Sequence, residues 1–600
     1  MAEYVELHCH SCFSFREGAS TPLELVLQAR KLGYPALALT DHDSLAGAME
    51  FAQTAKEWDV RPIIGAEITL RPSPRPTSGR PTPLPEGEGS SDQHPHHLTL
   101  LAETPRGYAN LSRLLSIAHL ESPRGEPALD PAALEEHTEG LIALSGCQHG
   151  EVPRLACHDT VGARAAARRY LELFGRDCFF IELQQNLVYG DRPRNRGLVE
   201  LARELDLPIV ATNNVHYHEQ ARHRLQDVLV AVRHRMTLDA SERQRRKNAE
   251  FYLKSAEQMA ELFSELPEAL ENTLAIAERC VPDRHSEPYA FAQDKLREES
   301  SPSRTTVDLE RSDPSLTLRV TESSPSPAQV RLANPTPASE HQQGFDLTRD
   351  LTYRFPDFDA PPGKTADEFL EEVCMASARE LYGWAAPKVE ERIEHELRLI
   401  ESAGQAGFFL RNWELMRYAH DNDLPARGRG SSVGSLVCYL LGLSGIDPIK
   451  YDLFVGRFLN EARQKEDVPD IDLDFAREAR ERMFEHVFET YGTEHAALVA
   501  NVIQYRYPMA IRDVGKALGL PEADIDKLAK RMRGRFARSL DEEMRSLPEF
   551  RGRMNAPVWR TFARLVEELR GKPRHLSQHS GGVIISSTPI VEQVPVQPSA

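Results

Sequence analysis

The sequence predicts a multidomain α/β chain. A β/α barrel of TIM-like kind comes first, then an α+β region and a mostly helical one. Near the N-terminus, apolar strand runs alternate with capped helical segments, and histidines and acids stand at the strand ends, where barrels assemble sites. Further on, a Gly/Ser-rich loop is followed by a strand with an acid at every second position, and segments of helical periodicity lie on both sides. At 600 residues the chain is also too long for one hydrophobic core.

Residues 5–10 read as a strand with His8 and His10 on one face, a pair able to grip one metal. A helix follows, with Thr21 as N-cap, Pro22 in the first turn, Glu24 closing a capping box and Gly33 past the end. Residues 35–39 form a buried strand that runs into Thr40-Asp41-His42-Asp43. A lone histidine is more often structural, but a His-x-His together with a strand-terminal Asp-His favours metal binding. The basic run Arg243-Gln244-Arg245-Arg246-Lys247 is assigned to the surface.

Two stretches are too rich in Pro, Gly and Ser to bury a core, residues 71–95 and 283–344. Both are expected to be disordered insertions, cheap to accommodate because loop-closure entropy grows only logarithmically. Helical periodicity resumes over residues 365–382 and 387–418 and leads into Ala426-Arg427-Gly428-Arg429-Gly430-Ser431-Ser432-Val433-Gly434-Ser435. A Gly/Ser loop opening a buried helix offers free backbone N–H groups and a positive dipole end to a phosphate, although such turns are packing features about as often.

Next comes Val468-Pro469-Asp470-Ile471-Asp472-Leu473-Asp474-Phe475. As a strand it sets Asp470, Asp472 and Asp474 on one face, about 7 Å apart, where like charges repel unless a cation sits between them. A solvated strand face is the plainer reading, but the neighbouring loop favours Mg²⁺ and phosphoryl chemistry. Helices are expected over 477–491 and 521–533, and a short strand over 583–585. Lys527, Lys530, Arg531, Arg533, Arg535 and Arg538 make a basic stripe, suited equally to DNA phosphates or to a solvated helix face.

The net charge of −19 does not exclude a nucleic-acid partner, because affinity for DNA depends on local basic stripes. No apolar run approaches the 18 or so residues of a membrane span. Eight scattered cysteines with no paired spacing fit a reducing, cytoplasmic compartment.

Several of these segments together resemble the palm of bacterial C-family DNA polymerases, the α subunit of DNA polymerase III and its relatives. They are Gly428 through Ser435, Asp447-Pro448, Arg457-Phe458-Leu459-Asn460, Pro469 through Phe475, Ile511-Arg512-Asp513-Val514-Gly515-Lys516 and His579-Ser580-Gly581-Gly582, in the family's order. The resemblance implies that Asp472 and Asp474 hold catalytic Mg²⁺, and that Gly430 and Ser431 contact the triphosphate of the incoming nucleotide, with Arg429, Arg457 and Asn460 nearby. It also implies that the basic stripe belongs to a thumb gripping duplex DNA.

The N-terminal region resembles the polymerase and histidinol phosphatase (PHP) domain of the same family. Mapped onto this sequence, the family's metal ligands fall on His8, His10, Glu17, His42, Glu67, His97, Cys147, Asn214 and His216. Asn214 stands where the family has an acid, and an amide oxygen is a weaker, uncharged ligand. The resemblance implies bound Zn²⁺ or Mn²⁺, serving a 3′→5′ exonuclease or phosphoesterase activity or a structural role.

The expected organisation is a PHP barrel over 1–282, an insertion over 283–344, a palm over 345–476, a helical thumb over 477–575 and a return to the palm over 576–600. Such palms use a third acid beyond the His-Ser-Gly-Gly segment, and nothing after Ile590 offers one except Glu592 in a Pro-rich tail. The chain is therefore expected to be the N-terminal portion of a longer polymerase, with DNA synthesis a property of the longer protein. Tyr4 through Ser11, Phe13-Ser14-Phe15, Gly18-Ala19-Ser20 and His216-Tyr217-His218 look most like the error-prone, damage-inducible branch. That branch implies translesion synthesis on primer-template DNA with dNTPs. It also implies a sliding clamp and a Y-family-like accessory partner, both bound beyond residue 600. The alternatives are a fragment of a replicative α subunit, or a PHP phosphoesterase with a vestigial palm.

Overall fold

The computed structural model describes residues 3–72, 94–280, 344–351, 355–383, 387–459, 471–533 and 539–599. Nearly all of both expected insertions falls outside the described residues, as do Asn460, Asp470, Arg535 and Arg538. The chain divides into two compact units. One joins the N-terminal barrel to residues 341–356 and 484–600, and the other contains residues 357–483.

Among the described residues the N-terminal sheet has six strands in the order β1 to β6: Ala36–His42, Arg61–Leu70, His96–Ala102, Leu141–Leu144, Phe179–Gln184 and Ile209–Thr212. β1 pairs parallel with β2, as does β5 with both β4 and β6, but β3 runs antiparallel to β2 and β4. This corrects the TIM-like expectation, since the strands of a TIM barrel are all parallel. The reversal has a consequence for the site. With Leu70 opposite His96, the first residues of β3 stand beside the last residues of β2, so His97 enters from the start of a strand.

Residues 5–10 form no continuous strand, correcting that expectation. They lie extended, with bridges from Glu6 to Leu37 and from Cys9 to Val215. His10 N donates to Val215 O at 2.8 Å, and Thr40 N donates to Cys9 O at 2.8 Å, so the segment joins the two edges of the sheet. Tyr4 through His10 are buried on both faces. The helix Pro22–Lys31 carries the expected Thr21/Glu24 capping box, and Gly33 takes the left-handed conformation beyond it at φ +77°.

The second half of this unit contains β9 (Ala496–Gln504) paired antiparallel with β10 (Pro573–Ile585), and helices Tyr507–Ala517, Glu522–Arg531 and Pro557–Leu569. The expected short strand at 583–585 is the end of β10. Its register shifts between Gln578 and Val583, which leaves the His-Ser-Gly-Gly segment unpaired with β9. Residues 521–533 shorten to Glu522–Arg531, with acids in the first turn and bases in the last. Ile511, Val514 and Phe562 share one core with Leu225, Val228 and Leu229 of the barrel helix His223–Arg233. Lys572 Nζ adds an ion pair to Glu24 at 2.7 Å, and Arg222 one to Glu568 at 3.6 Å. The C-terminal residues return to the barrel helix Pro105–Leu120, where Glu592 pairs with Arg113.

In the other unit, helix Ala366–Tyr382 starts at the Thr365 cap. The helical stretch expected over 387–418 is two helices, Pro387–Ser402 and Ala406–Asp421, separated at Gly404, whose φ of +64° no helix interior accommodates. Leu370, Ile393, Phe409, Leu436 and Leu443 build its core. β7 (Ala426–Arg429) pairs antiparallel with β8 (Asp472–Phe475), setting Arg429 opposite Asp472 and Arg427 opposite Asp474. The helix beginning at Arg477 reaches His495 and is kinked at Gly492, which has a φ of 73°. No helix among the described residues is long and apolar enough to cross a membrane.

Candidate metal centre and acidic hairpin

Glu67, on the buried strand β2, is the centre of the barrel cluster. Its Oε1 lies 3.4 Å from His8 Nε2 and 3.1 Å from His97 Nδ1, and its Oε2 lies 3.6 Å from His10 Nε2 and 3.3 Å from His42 Nδ1. Two triads sharing Glu67, namely His8–His10–Glu67 and His42–Glu67–His97, each bring their ligand atoms within 4.8 Å of one another. The outer ring nitrogens are engaged elsewhere. His8 Nδ1 is 2.7 Å from Glu182 Oε1, and His10 Nδ1 is 3.2 Å from Ser14 Oγ, which fixes each ring with Nε2 toward Glu67. His8 Nε2, His10 Nε2, His42 Nδ1 and Glu67 Oε1 are buried and have no hydrogen-bond partner among the described residues. Imidazole nitrogens converging on one carboxylate suit Zn²⁺ or Mn²⁺, so the residues present fit a divalent ion.

The electrostatics agree. Burial disfavours the His8 imidazolium, yet Glu182 and Glu67 outweigh it and push its pKa up to about 10. The same negative field that holds a proton there attracts a cation. His10, without a carboxylate so close, is lowered by burial to about 3 and stays neutral. Cys147 is buried with Sγ 3.5 Å from His97 Nδ1, and burial, with Glu67 beside it, pushes its thiol pKa well up. A metal ion bound beside it would favour its thiolate.

The remaining expected ligands gather in a different corner. Glu17 lies 3.7 Å from His42 Nδ1, but Arg233 Nη1 reaches its Oε2 at 2.5 Å and Arg246 Nη2 its Oε1 at 3.8 Å. Burial would raise the Glu17 pKa, but His42, Arg233 and Arg246 hold it well below the carboxylate range. His216 stacks on His10 with ring centroids 4.5 Å apart, Asn214 Oδ1 lies 3.0 Å from its Nε2, and Arg246 hydrogen-bonds that same nitrogen. Arg246 also lies over the Phe251 ring, 4.4 Å from its centroid. Its assignment to the surface is therefore corrected. Its place in a run of five polar and basic residues gives no hint of inward packing. Glu182 escapes the sequence reading as well, although an acid inside the apolar strand Phe179–Gln184 is a readable signal.

The acidic hairpin stands in the other unit. Asp472 and Asp474 project from one face of β8, and Arg429 bridges them, with Nη1 3.3 Å from Asp472 Oδ2 and Nε 2.9 Å from Asp474 Oδ1. Their side chains are 38% and 43% exposed. Gly430 follows at φ +80°, and a Cβ there would stand 3.1 Å from Asp472 Oδ2. Two carboxylates converging on one positive charge suit an oxygen-seeking cation such as Mg²⁺. Ser431 is exposed beside them in a 3₁₀ turn, Gly430–Gly434. Of Arg457 only the backbone, in the turn Val455–Arg457, is described.

The helix after this loop is not the free phosphate cradle the sequence suggests. Leu436–Leu440 is a single turn, and the buried carboxylate of Glu396 already accepts from Leu436 N, Val437 N and Ser435 Oγ at 3.1, 3.1 and 2.7 Å. Arg392 pairs with Glu396 at 2.6 Å. An internal anion therefore occupies the dipole end, and any phosphate site is limited to the Gly430–Ser431 turn. In the basic stripe, Lys527 pairs with Glu549 and Arg531 with Glu543, while Lys530 and Arg533 are exposed.

Two family models match the chain, the PHP domain over residues 6–186 and the bacterial DNA polymerase III alpha NTPase domain over residues 368–600. An error-prone DNA polymerase of Symbiobacterium thermophilum is 35% identical over 100% of this chain and 49% of its own length. One of Mycobacterium bovis is 35% identical over 99% of this chain and 47% of its own, and one of Anaeromyxobacter sp. (strain K) is 34% identical over 100% and 52%. The chain spans about half the length of the curated relatives it matches.

Proposed function

The chain belongs to the bacterial C-family DNA polymerases, with error-prone members among its relatives, and on that premise we propose that it carries the nucleotide-adding centre of an error-prone, translesion-type polymerase. The substrates are a primer-template and dNTPs. The primer 3′-OH attacks the α-phosphate, a P–O bond forms to the primer, and pyrophosphate leaves with the electrons of the broken bond. Asp472 and Asp474 hold Mg²⁺, which when bound supplies Lewis-acid chemistry and neutralises developing charge. Arg429 and the Gly430–Ser431 turn orient the triphosphate, and Lys530 and Arg533 contribute phosphate contacts that carry no sequence information. Arg457 and Asn460 are assigned to the nucleotide on resemblance alone.

The observation supporting this reading most is the pairing of β7 with β8, which sets two acids against the glycine turn. Asp472→Asn or Asp474→Asn in the polymerase is expected to lower primer extension at least about 100-fold while DNA binding, read by anisotropy, changes little. Extension near the wild-type level in either variant overturns the assignment.

The barrel has a second role, and it is structural. His8, His10, His42, Glu67, His97 and Cys147 hold Zn²⁺ or Mn²⁺. Because the barrel core continues into helices 507–517 and 557–569, that metal braces the whole unit. Chelation should lower the melting temperature. Turnover of 3′-labelled DNA or p-nitrophenyl phosphate with Mn²⁺, lost in Glu67→Gln, would instead assign a phosphoesterase role.

A further inference from the structure

The two arginines at the edge of the histidine cluster set a limit on what it can hold. Around Glu67, the groups facing inward are imidazoles and one carboxylate, with four buried polar atoms left without hydrogen bonds among the described residues. Around Glu17 the same kinds of ligand, a carboxylate, an imidazole and an amide, already face two guanidinium groups. Arg233 lies on Glu17 Oε2 at 2.5 Å, and Arg246 stands between Glu17 Oε1 and His216 Nε2.

A guanidinium only donates and does not lose its proton in a protein. With Nε2 accepting from Arg246, the His216 lone pair on that nitrogen is not offered to an ion, and Nδ1, which then carries the ring proton, has no hydrogen-bond partner among the described residues. Arg246 is held from several sides at once, by Glu17, by His216 and by the Phe251 ring 4.4 Å below it. Asn214, with φ 47°, adds no negative charge to offset a second cation.

We propose that Arg246 and Arg233 are resident cations filling the Glu17–Asn214–His216 corner, so that the barrel binds metal only around Glu67, at no more than two positions. This rests on the metal reading of the cluster given above. In this arrangement Glu17 and His216 are positioning residues. Glu17 anchors the arginines, and His216 presses its ring against His10, whose Nε2 faces Glu67.

The experiment is metal stoichiometry of the full chain after saturation with Mn²⁺ or Zn²⁺ and desalting, read by inductively coupled plasma mass spectrometry with circular dichroism to check folding. At most two equivalents are expected. Glu17→Gln and His216→Asn should leave the count unchanged, and Arg246→Met combined with Asn214→Asp should add one equivalent. Three equivalents in the unaltered protein, or loss of one in a folded Glu17→Gln or His216→Asn variant, overturns the proposal while leaving metal binding intact. A double variant that stays at the wild-type count also overturns it, since the arginine is then not what keeps an ion out. No metal in any preparation overturns the metal reading itself.

Discussion

The barrel cluster and the acidic hairpin both concentrate carboxylates beside positive charge, yet they do so by opposite means. The cluster draws His8 and His10 from an extended segment, His42 from the end of β1, Glu67 from β2 and His97 from the start of the reversed β3, and buries the Glu67 side chain almost completely. The hairpin takes both acids from one four-residue strand, leaves them more than a third exposed and neutralises them with the arginine opposite. The buried site is therefore coupled to the folding of its unit. The exposed one adds little to stability, because ion pairs in water are weak.

The sharpest way to break this contrast is Glu67→Gln. Removing the one anion shared by four imidazoles should cost about 3 kcal/mol at neutral pH, read by urea denaturation, and abolish bound metal. Glu396→Ala comes next. It leaves Arg392 with only the carbonyls of Gly434 and Leu453 and takes the acceptor from the N–H groups of Leu436 and Val437, at a cost of about 3 kcal/mol localised to the other unit. If either change left stability unaltered, burial would not be what separates the two sites.

A smaller effect is expected from Lys572→Met, which cuts the pairing of Glu24 with the β10 end of the unit, at about 2 kcal/mol. Burial would raise the Glu24 pKa, but Lys572, the Thr21 backbone and Arg222 lower it below its ordinary value of 4.5. A carboxylate depressed on folding contributes its full stability above its unfolded pKa and loses it as the pH falls through the folded one. Wild-type stability should therefore fall as the solution is acidified below about pH 4.5, and the Lys572→Met variant should lose less over the same range. Smallest of all is Arg429→Gln, expected to change stability by less than about 1 kcal/mol because the pair is exposed. Its effect should appear in Mg²⁺ binding by the hairpin, measured by titration calorimetry.

Motifs with short spacing are legible in the amino-acid sequence. The Thr21/Glu24 capping box, the glycine at 33 and the alternation at 472–474 follow from helix and strand periodicity, which neighbouring residues impose on one another. The reversed β3 is not legible there, because strand direction depends on which edge a returning chain meets. The break at Gly404 is open to a sequence reader, since glycine permits a positive φ, but periodicity on both sides masks it. Glu396 is hidden in another way. It looks like one more acid on a charged helix, and only packing brings it under the helix start 40 residues later.

The residue types able to take a metal or a nucleotide phosphate, and the local backbone that presents them, were determined by sequence alone through hydrogen bonding and φ/ψ preferences over a few residues. Which charge meets which was decided only by tertiary structure. Arg246 against His216, Glu396 on the Leu436 turn and Arg429 between two aspartates are long-range pairings, selected because a charge taken out of water must find a partner wherever the fold supplies one.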